Sequence, residues 1–396
     1  MEVAAPAEVG LAAPGLAAAL ARYRQCAEDE ELPGGVLVVA SKGRCCFLEA
    51  FGASDAESGA PLRTDAIFRA ASMTKITTSL AAMMLVDRGQ LLLDDPVSKY
   101  IPAFASMSRV TGGTGRSATT TPCATQITVR HLMAHTSGLT YGFFAGSGPC
   151  GVVDELSREL PRLGARSDTD EGEAEAAALA AAPLAFEPGS AFRYSCSTAV
   201  LGRVVSIASG IQMDEFLQAE ICAPLGMVDT AYFVPPEKQH RVVTAYTRLD
   251  REAPPPPAGR SSMAAWKDSA SKVLVRLPEE AQASPATPPP SIAADGGLFM
   301  TAPDWCKFMC MLSGKGAAPD GTRLLSEAAW EVMVAPATPD LGSDFCSHWS
   351  DPEGSAGPAL CANFRGKPHD ASESWTACAP PHGLPNHLRN APSCSR

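Results

Sequence analysis

Ser72-Met73-Thr74-Lys75 sets a hydroxyl and an amine three residues apart, a spacing that brings both to one face of a helix. A serine at the first turn also has its own N–H where a developing oxyanion can use it. If the surroundings strip water from Lys75, its proton affinity falls and the neutral amine can take the serine proton. The spacing alone is cheap. About one Ser-x-x-Lys is expected by chance in a serine-rich chain of this length, and Ser269-Ala270-Ser271-Lys272 is another. Context separates the two. Ile67 and Phe68 read as a short strand, Ala70-Ala71 as a small-residue turn, and Ser72 as the opening of an apolar helix. In that helix Ile76, Leu80, Met83, Met84 and Val86 fall at helical spacing, and Gly89 is a left-handed stop. The Ser269 copy lies in Pro-rich sequence instead. Ser72 is then either a nucleophile with Lys75 as its base or an ordinary helix N-cap.

Tyr194 is the next candidate. In FEPGSAFRYSCSTAVLG a Glu187-Pro188-Gly189 turn precedes a short strand, and Tyr194 then stands at the entry of a helix capped by Ser197. Its hydroxyl there is either a proton relay beside Lys75 or the tip of a packed ring. His135-Thr136-Ser137-Gly138 invites a His–Ser reading, but these residues belong to a helix end and its turn. Adjacent Cys45 and Cys46 lie in an expected strand and point to opposite faces, as packing thiols do. Asp94-Asp95-Pro96 lacks partners for a metal and reads as a helix-start turn.

The elements that must hold these residues are an α+β set. Two β-prone runs flank Ser41-Lys42-Gly43 as a hairpin. ITVRHLMAHTSGL is a short helix with Thr128 as N-cap and Gly138 as stop, and STAVLGRVVSIASG and MDEFLQAEICAPLG are further helices. Residues 90–230 form a helical insertion with little strand, broken by a Gly/Thr loop at 111–125 and an acidic Ala-rich stretch at 167–182. The segment 249–292 is a Pro-rich loop with extended pieces. GGLFMTAPDWCKFMCML is a short strand, Thr301 as N-cap, and a helix with Pro303 in its first turn. Residues 1–341 make one domain. Beyond it, 342–396 has no helical or alternating period and is expected to be an irregular tail. Its four cysteines lie too far apart for a zinc knuckle.

Whole-chain properties exclude several functions. A net charge of -11 argues against nucleic acid and against an anionic membrane surface. No run approaches the roughly 18 apolar residues of a membrane span. The start lacks a basic segment ahead of an apolar one and reads as a surface helix. Thirteen cysteines, an odd number without paired spacing, suit thiols in a reducing compartment, so a cytoplasmic protein is expected. Neither G-x-S-x-G nor the phosphate-binding G-x-x-x-x-G-K-[ST] is present.

FRAASMTK, LLLDDPVSKYIP, ITVRHLMAHTSGL, FEPGSAFRYS, PLGMVDT and GGLFMTAPDW occur in that order. The series resembles the serine β-lactamase-like superfamily, which holds class C β-lactamases, penicillin-binding protein-related D-Ala-D-Ala carboxypeptidases, esterases and transesterases. It looks most like the esterase branch, over about residues 10–340. The resemblance implies a β-lactamase/transpeptidase-like fold, an antiparallel sheet flanked by helices plus a helical lobe. It implies Ser72 as nucleophile, Lys75 as base and Tyr194 as relay, with a small-molecule ester or amide as substrate and no metal or organic cofactor. The resulting expectation is a serine hydrolase or acyltransferase working through an acyl-enzyme. The alternatives are an impaired relative with a binding or scaffolding role, and a β-lactamase or D-Ala-D-Ala peptidase. Two departures bear on the choice. Cys196 stands where the β-lactamases carry an asparagine, which counts against β-lactam hydrolysis. The third motif, a Lys, His or Trp followed closely by Gly on an edge strand, should fall beyond Leu341. His382-Gly383 is a poor match there, between Pro380-Pro381 and Pro385. A missing oxyanion donor costs about 10²–10³-fold, so weak activity and an aggregation-prone sheet edge are expected.

Overall fold

A turn that few residue types accept starts the first sheet. Lys42 and Gly43 have φ of 52° and 74°, and such a two-residue turn matches the twist of the strands it joins. It connects β1 (Gly34–Ser41) to β2 (Arg44–Asp55), and β3 (Ala60–Pro61) pairs with β2, all antiparallel. The expected hairpin is therefore present. The computed structural model describes residues 2–142, 148–157, 160, 163, 164, 166–250, 272–278, 282, 284–335 and 337. The chain divides into two units, Met1–Met333 and Val334–Arg396, and in the second only Val334, Ala335 and Ala337 are described. The expected irregular tail, His382-Gly383 and Ser269 all lie outside the described residues.

Ahead of the sheet, α1 (Ala13–Glu28) is the expected surface helix, and Tyr23 sets its ring 5.6 Å from that of Phe51. Cys45 and Cys46 do face opposite ways. Cys46 packs with Ala4 and Val9, and Cys45 with Cys306 and Cys310. A short strand, β4 (Ile67–Arg69), then leads into α2 (Thr74–Asp87), which ends before Gly89 at φ 71°.

The middle of the chain carries more structure than its composition suggests. The Gly/Thr segment is a hairpin, β5 (Ser108–Gly112) with β6 (Thr119–Pro122). Its β-branched threonines suit a strand, and the glycines between them make the turn. Among the helices, α3 (Val129–Met133) has the expected Thr128 cap, whose side chain accepts from the His131 N–H. It stops at His135, at φ 54°, not at Gly138. Gly138 is needed for a different reason: a Cβ there would fall 2.6 Å from the Phe186 oxygen. After α4 (Gly148–Ser157), the acidic Ala-rich stretch turns out to be a helix, α5 (Asp170–Ala181). Thr169 caps it, and Asp170, Glu171 and Glu173 sit at the positive end of its dipole. High alanine content favours helix and outweighs the like charges.

Next comes α6 (Ser197–Ser209), closed by Gly210 at φ 72°. Its cap differs from expectation, because Cys196 is the N-cap and the Ser195 hydroxyl, not Ser197, accepts from the Ser197 N–H. No strand forms ahead of Tyr194, where residues 192–195 are irregular. MDEFLQAEICAPLG is one helical run, α7 (Met213–Phe216), a π-turn (Leu217–Cys222) and α8 (Ala223–Leu225). In the Pro-rich region β7 (Tyr246–Asp250) pairs with β8 (Lys272–Arg276). Asp55 anchors that pair. Its carboxylate accepts from Thr244, Tyr246 and Arg276, and its pKa is lowered to about 2 mainly by backbone hydrogen bonding from Ser58.

The chain then returns to the start. β9 (Phe299–Thr301) pairs antiparallel with β4 in the register Ile67↔Thr301 to Arg69↔Phe299. Thr301 caps α9 (Ala302–Ser313), as expected, and α10 (Glu327–Val334) follows. The main core joins α2 to α6, with Leu80, Met83 and Met84 clustered with Val200, Leu201, Val204 and Val205. This is an α+β protein with antiparallel pairing in its named sheets. Leu80 is fully buried in this core. Leu80→Ala should destabilise the protein by about 2–5 kcal/mol, read as a lower urea midpoint at unchanged slope. An unmoved midpoint would contradict the packing described.

Candidate active site

Ser72 sits on a strained turn. Ala70 continues the β4–β9 ladder by donating to the Leu298 oxygen at 2.8 Å, and the chain must then reverse at once into a helix. Ala71 makes the reversal with φ 45°, a left-handed conformation that costs a non-glycine residue roughly 1–2 kcal/mol. Hydrogen bonds hold it there. Thr74 Oγ1 donates to the Ala71 oxygen at 2.7 Å and accepts from the Leu298 N–H at 3.2 Å. One threonine thus ties the turn to β9. A 3₁₀ turn over Ala71–Met73 passes directly into α2, so Ser72 lies in the opening turn as expected.

Lys75 follows on the same face with its Nζ 3.3 Å from Ser72 Oγ. The side chain is buried, and Nζ donates to the Asp295 carbonyl at 2.5 Å. Nζ also lies 4.8 Å from the ring centre of Tyr194 and 5.4 Å from that of Tyr141. Burial lowers the Lys75 pKa to about 8, against the opposing pull of Asp295 and Cys196. A substantial fraction of neutral amine is therefore present at mildly alkaline pH.

Tyr194 closes the cluster across 122 residues, its hydroxyl donating to Ser72 Oγ at 2.6 Å. The segment carrying it is pinned on both sides. The Arg193 N–H donates to the His135 oxygen at 2.9 Å, and the Arg193 guanidinium pairs with the buried Asp154 carboxylate at 2.6 Å. The Ser195 N–H donates to His135 Nδ1 at 3.2 Å, and the His135 ring lies 4.8 Å from that of Tyr194. Burial, with help from the Lys75 charge, pushes the His135 pKa down to about 3. This histidine is a neutral support for Tyr194. Ser137 belongs to the same support, its hydroxyl 2.8 Å from that of Ser197, which in turn lies 2.7 Å from that of Ser195.

The structure thus brings Ser72, Lys75 and Tyr194 together. Asp94 and Asp95 are used elsewhere, Asp94 by Arg130 and Asp95 by Lys99, Tyr100 and the Leu92 N–H. Two site residues escaped sequence reasoning. Asp295 supplies the carbonyl that holds Lys75, and its carboxylate accepts from the Tyr141 hydroxyl at 2.6 Å. Each flanks a block already noticed, Tyr141 just after HTSGL and Asp295 just before GGLFM. Cys196 also lies at the site. Burial and the nearby Asp295 carboxylate push its thiol up to about 12, so it is no competing nucleophile. At about pH 8.5, the ordinary thiol pKa, iodoacetamide should modify Cys196 only after unfolding in urea. Equal modification of native and unfolded protein, seen by peptide mapping, would contradict this environment.

The fold is β-lactamase/transpeptidase-like, and Ser72, Lys75 and Tyr194 converge within it. The chain belongs to the Beta-lactamase family, whose model matches residues 19–356. Protein Rv1367c of Mycobacterium tuberculosis is 33% identical over 314 residues, 79% of this chain and 70% of that protein. Esterase EstB of Burkholderia gladioli is 37% identical over 228 residues, 57% of this chain and 54% of its own. Monacolin J acid methylbutanoyltransferase of Aspergillus terreus is 28% identical over 217 residues, 53% of this chain and 50% of that enzyme. Among solved structures, simvastatin synthase LovD from Aspergillus terreus aligns with a TM-score of 0.65 at 24% identity, covering 85% of this chain and 76% of LovD. In the described residues no helix is long and apolar enough to cross a membrane.

Proposed function

We propose that residues 1–341 form an esterase or transesterase domain that builds an acyl-enzyme on Ser72 from a small acyl ester. One observation carries the reading: Ser72 Oγ lies 3.3 Å from Lys75 Nζ and 2.6 Å from the Tyr194 hydroxyl. Neutral Lys75 takes the Oγ proton as Oγ attacks the ester carbonyl carbon. The carbonyl oxygen gains the negative charge, opposite the Ser72 N–H at the positive end of α2. When the intermediate collapses, the leaving alkoxide takes a proton from the Tyr194 hydroxyl, which the Lys75 ammonium restores. Water, or an acceptor alcohol in the transesterase case, then attacks the acyl group and returns its proton along the same path. The names of the esterase and methylbutanoyltransferase relatives support this acyl chemistry.

Cys196 supports esterolysis over β-lactam cleavage, since a protonated thiol offers no amide to hold a lactam carbonyl. The three converging side chains favour an enzyme over a binding relative. A cytoplasmic setting fits the free thiols of Cys45, Cys306 and Cys310, which lie together yet unbonded.

A serine-directed fluorophosphonate should label the protein, and a short-chain p-nitrophenyl ester should be hydrolysed. Ser72→Ala should abolish both, whereas Ser269→Ala should change neither. Tyr194→Phe should slow turnover by about 10²–10⁴-fold, the usual worth of a positioned proton donor. Labelling of Ser72→Ala at the wild-type rate would remove Ser72 as nucleophile. Because the base acts as the neutral amine, the rate should climb with pH and level off above a Lys75 pKa of about 8. A rate that falls as pH rises through that value would exclude Lys75 as base.

A further inference from the structure

We propose that Asp295, latched by Tyr141, is a positioning residue that aims Lys75 at Ser72 through its carbonyl and governs the charge of that lysine through its carboxylate. This rests on the reading of Lys75 as the base. The two halves of Asp295 do different things. The backbone oxygen accepts from Lys75 Nζ at 2.5 Å, which fixes the amine beside Ser72 Oγ. The side chain accepts from the Tyr141 hydroxyl at 2.6 Å.

The fold commits Asp295 to this place from several sides. Thr78 Oγ1, one turn along α2 from Lys75, donates to the neighbouring Ala294 oxygen at 2.6 Å. Gly202 of α6 leaves room for that segment, since a Cβ at Gly202 would stand 2.3 Å from Ala294 Cβ. The N–H groups of Gly296 and Gly297 both donate to the Ala293 oxygen, at 3.0 and 2.8 Å, and close the turn. These contacts hold Asp295 against α2.

The electrostatic half follows from what surrounds the amine. Lys75 faces Asp295, Cys196, His135 and the rings of Tyr141 and Tyr194. Of these, the Cys196 thiol is pushed up to about 12 and stays protonated, and His135 is pushed down to about 3 and stays neutral. Burial and the Asp295 carboxylate raise the Tyr141 pKa, so its phenol keeps its proton and donates it to Asp295. Among the described groups facing Lys75, Asp295 is the one anion. Its charge favours the ammonium and opposes the burial that favours the amine. The Tyr141 hydroxyl moderates that charge by donating to it.

Two variants move the balance in opposite directions. Asp295→Asn keeps the carbonyl and an acceptor for Tyr141 but removes the charge. Tyr141→Phe keeps the charge and removes its donor. The readout is the second-order rate of fluorophosphonate labelling against pH, with labelled protein counted by intact mass and folding checked by circular dichroism. Asp295→Asn should move the alkaline limb down by about one pH unit, the scale expected for loss of one close opposite charge, and Tyr141→Phe should move it up. A slower rate with the limb unmoved, or shifts of the same sign, overturns the proposal and leaves a merely structural role. If Asp295→Asn does not fold, Tyr141→Phe decides alone, an upward shift supporting and an unmoved limb refuting. If wild-type protein is not labelled at Ser72, the acyl-enzyme reading falls and this proposal falls with it. Labelling at Ser72 with unshifted variants sinks only the proposal.

Discussion

A buried lysine is the constraint on which the structure around Ser72 depends. Lys75 is only 8% exposed. An ammonium taken out of water without compensation is costly, and the group responds by giving up its proton. Too much compensation, from a close carboxylate salt bridge, would lock the lysine as a cation. The structure takes a middle course. It offers Lys75 a carbonyl, two aromatic faces and a hydroxyl, all of which tolerate either charge state. The Asp295 carboxylate is occupied by Tyr141 and is not in the first contact with Nζ.

This requirement reaches into the secondary structure. The helix that carries the lysine is anchored in the main core, with Leu80, Met83, Met84 and Leu85 of α2 clustered with residues of α6. The Ser72 hydroxyl beside it nevertheless lies in the opening turn, only partly buried. Those demands meet at Ala71, whose left-handed backbone turns the chain from the β4–β9 ladder into α2 within a few residues. Thr74 then ties the strained segment to the strand that follows Asp295. Ser72, Lys75 and the Asp295 carbonyl that accepts from Lys75 are fixed by one short stretch of paired backbone.

Local features of this arrangement were legible in the sequence, and non-local ones only in part. Periodicity showed α2, Thr128 and Thr301 announced their helices, and the strand–turn–helix context separated Ser72 from Ser269. Tyr194 at a helix entry left two readings open, a relay or a packed ring, and the order of six blocks shared with a known family chose between them. Asp295 could not be found that way, because it meets Lys75 through its carbonyl and a backbone group leaves no mark in the residue type. The misread segments have plain causes. The acidic stretch at 167–182 reads as a break in the helical insertion, yet Asp170, Glu171 and Glu173 fall in the first turn of a helix, where the dipole welcomes them. Threonines around Gly112–Gly115 looked like a loop, but their β-branching fits the strands on either side of the turn. At Cys196 the expected serine cap was displaced by one position, within the ordinary uncertainty of a helix end.

The support around Tyr194 is polar where an apolar packing would have been simpler, and the reason lies in what each kind of contact specifies. An apolar ring contact is non-directional and tolerates small rotations and slips. Tyr194 must present one oxygen to one other oxygen at 2.6 Å. Directional hydrogen bonds on both neighbours, Arg193 to the His135 oxygen and Ser195 to His135 Nδ1, fix the backbone between them. The serine chain through Ser197 and Ser137 and the Asp154–Arg193 pair extend that control into α6 and α4. Such a network is worth little in net stability, and a buried ion pair can even cost some. Leaving one member unpartnered is far more expensive than keeping all of them satisfied. Alternative placements of the Tyr194 segment are therefore disfavoured by every bond they would break. Specificity of position, more than stability, is what His135, Ser137, Asp154 and Ser195 contribute to the site.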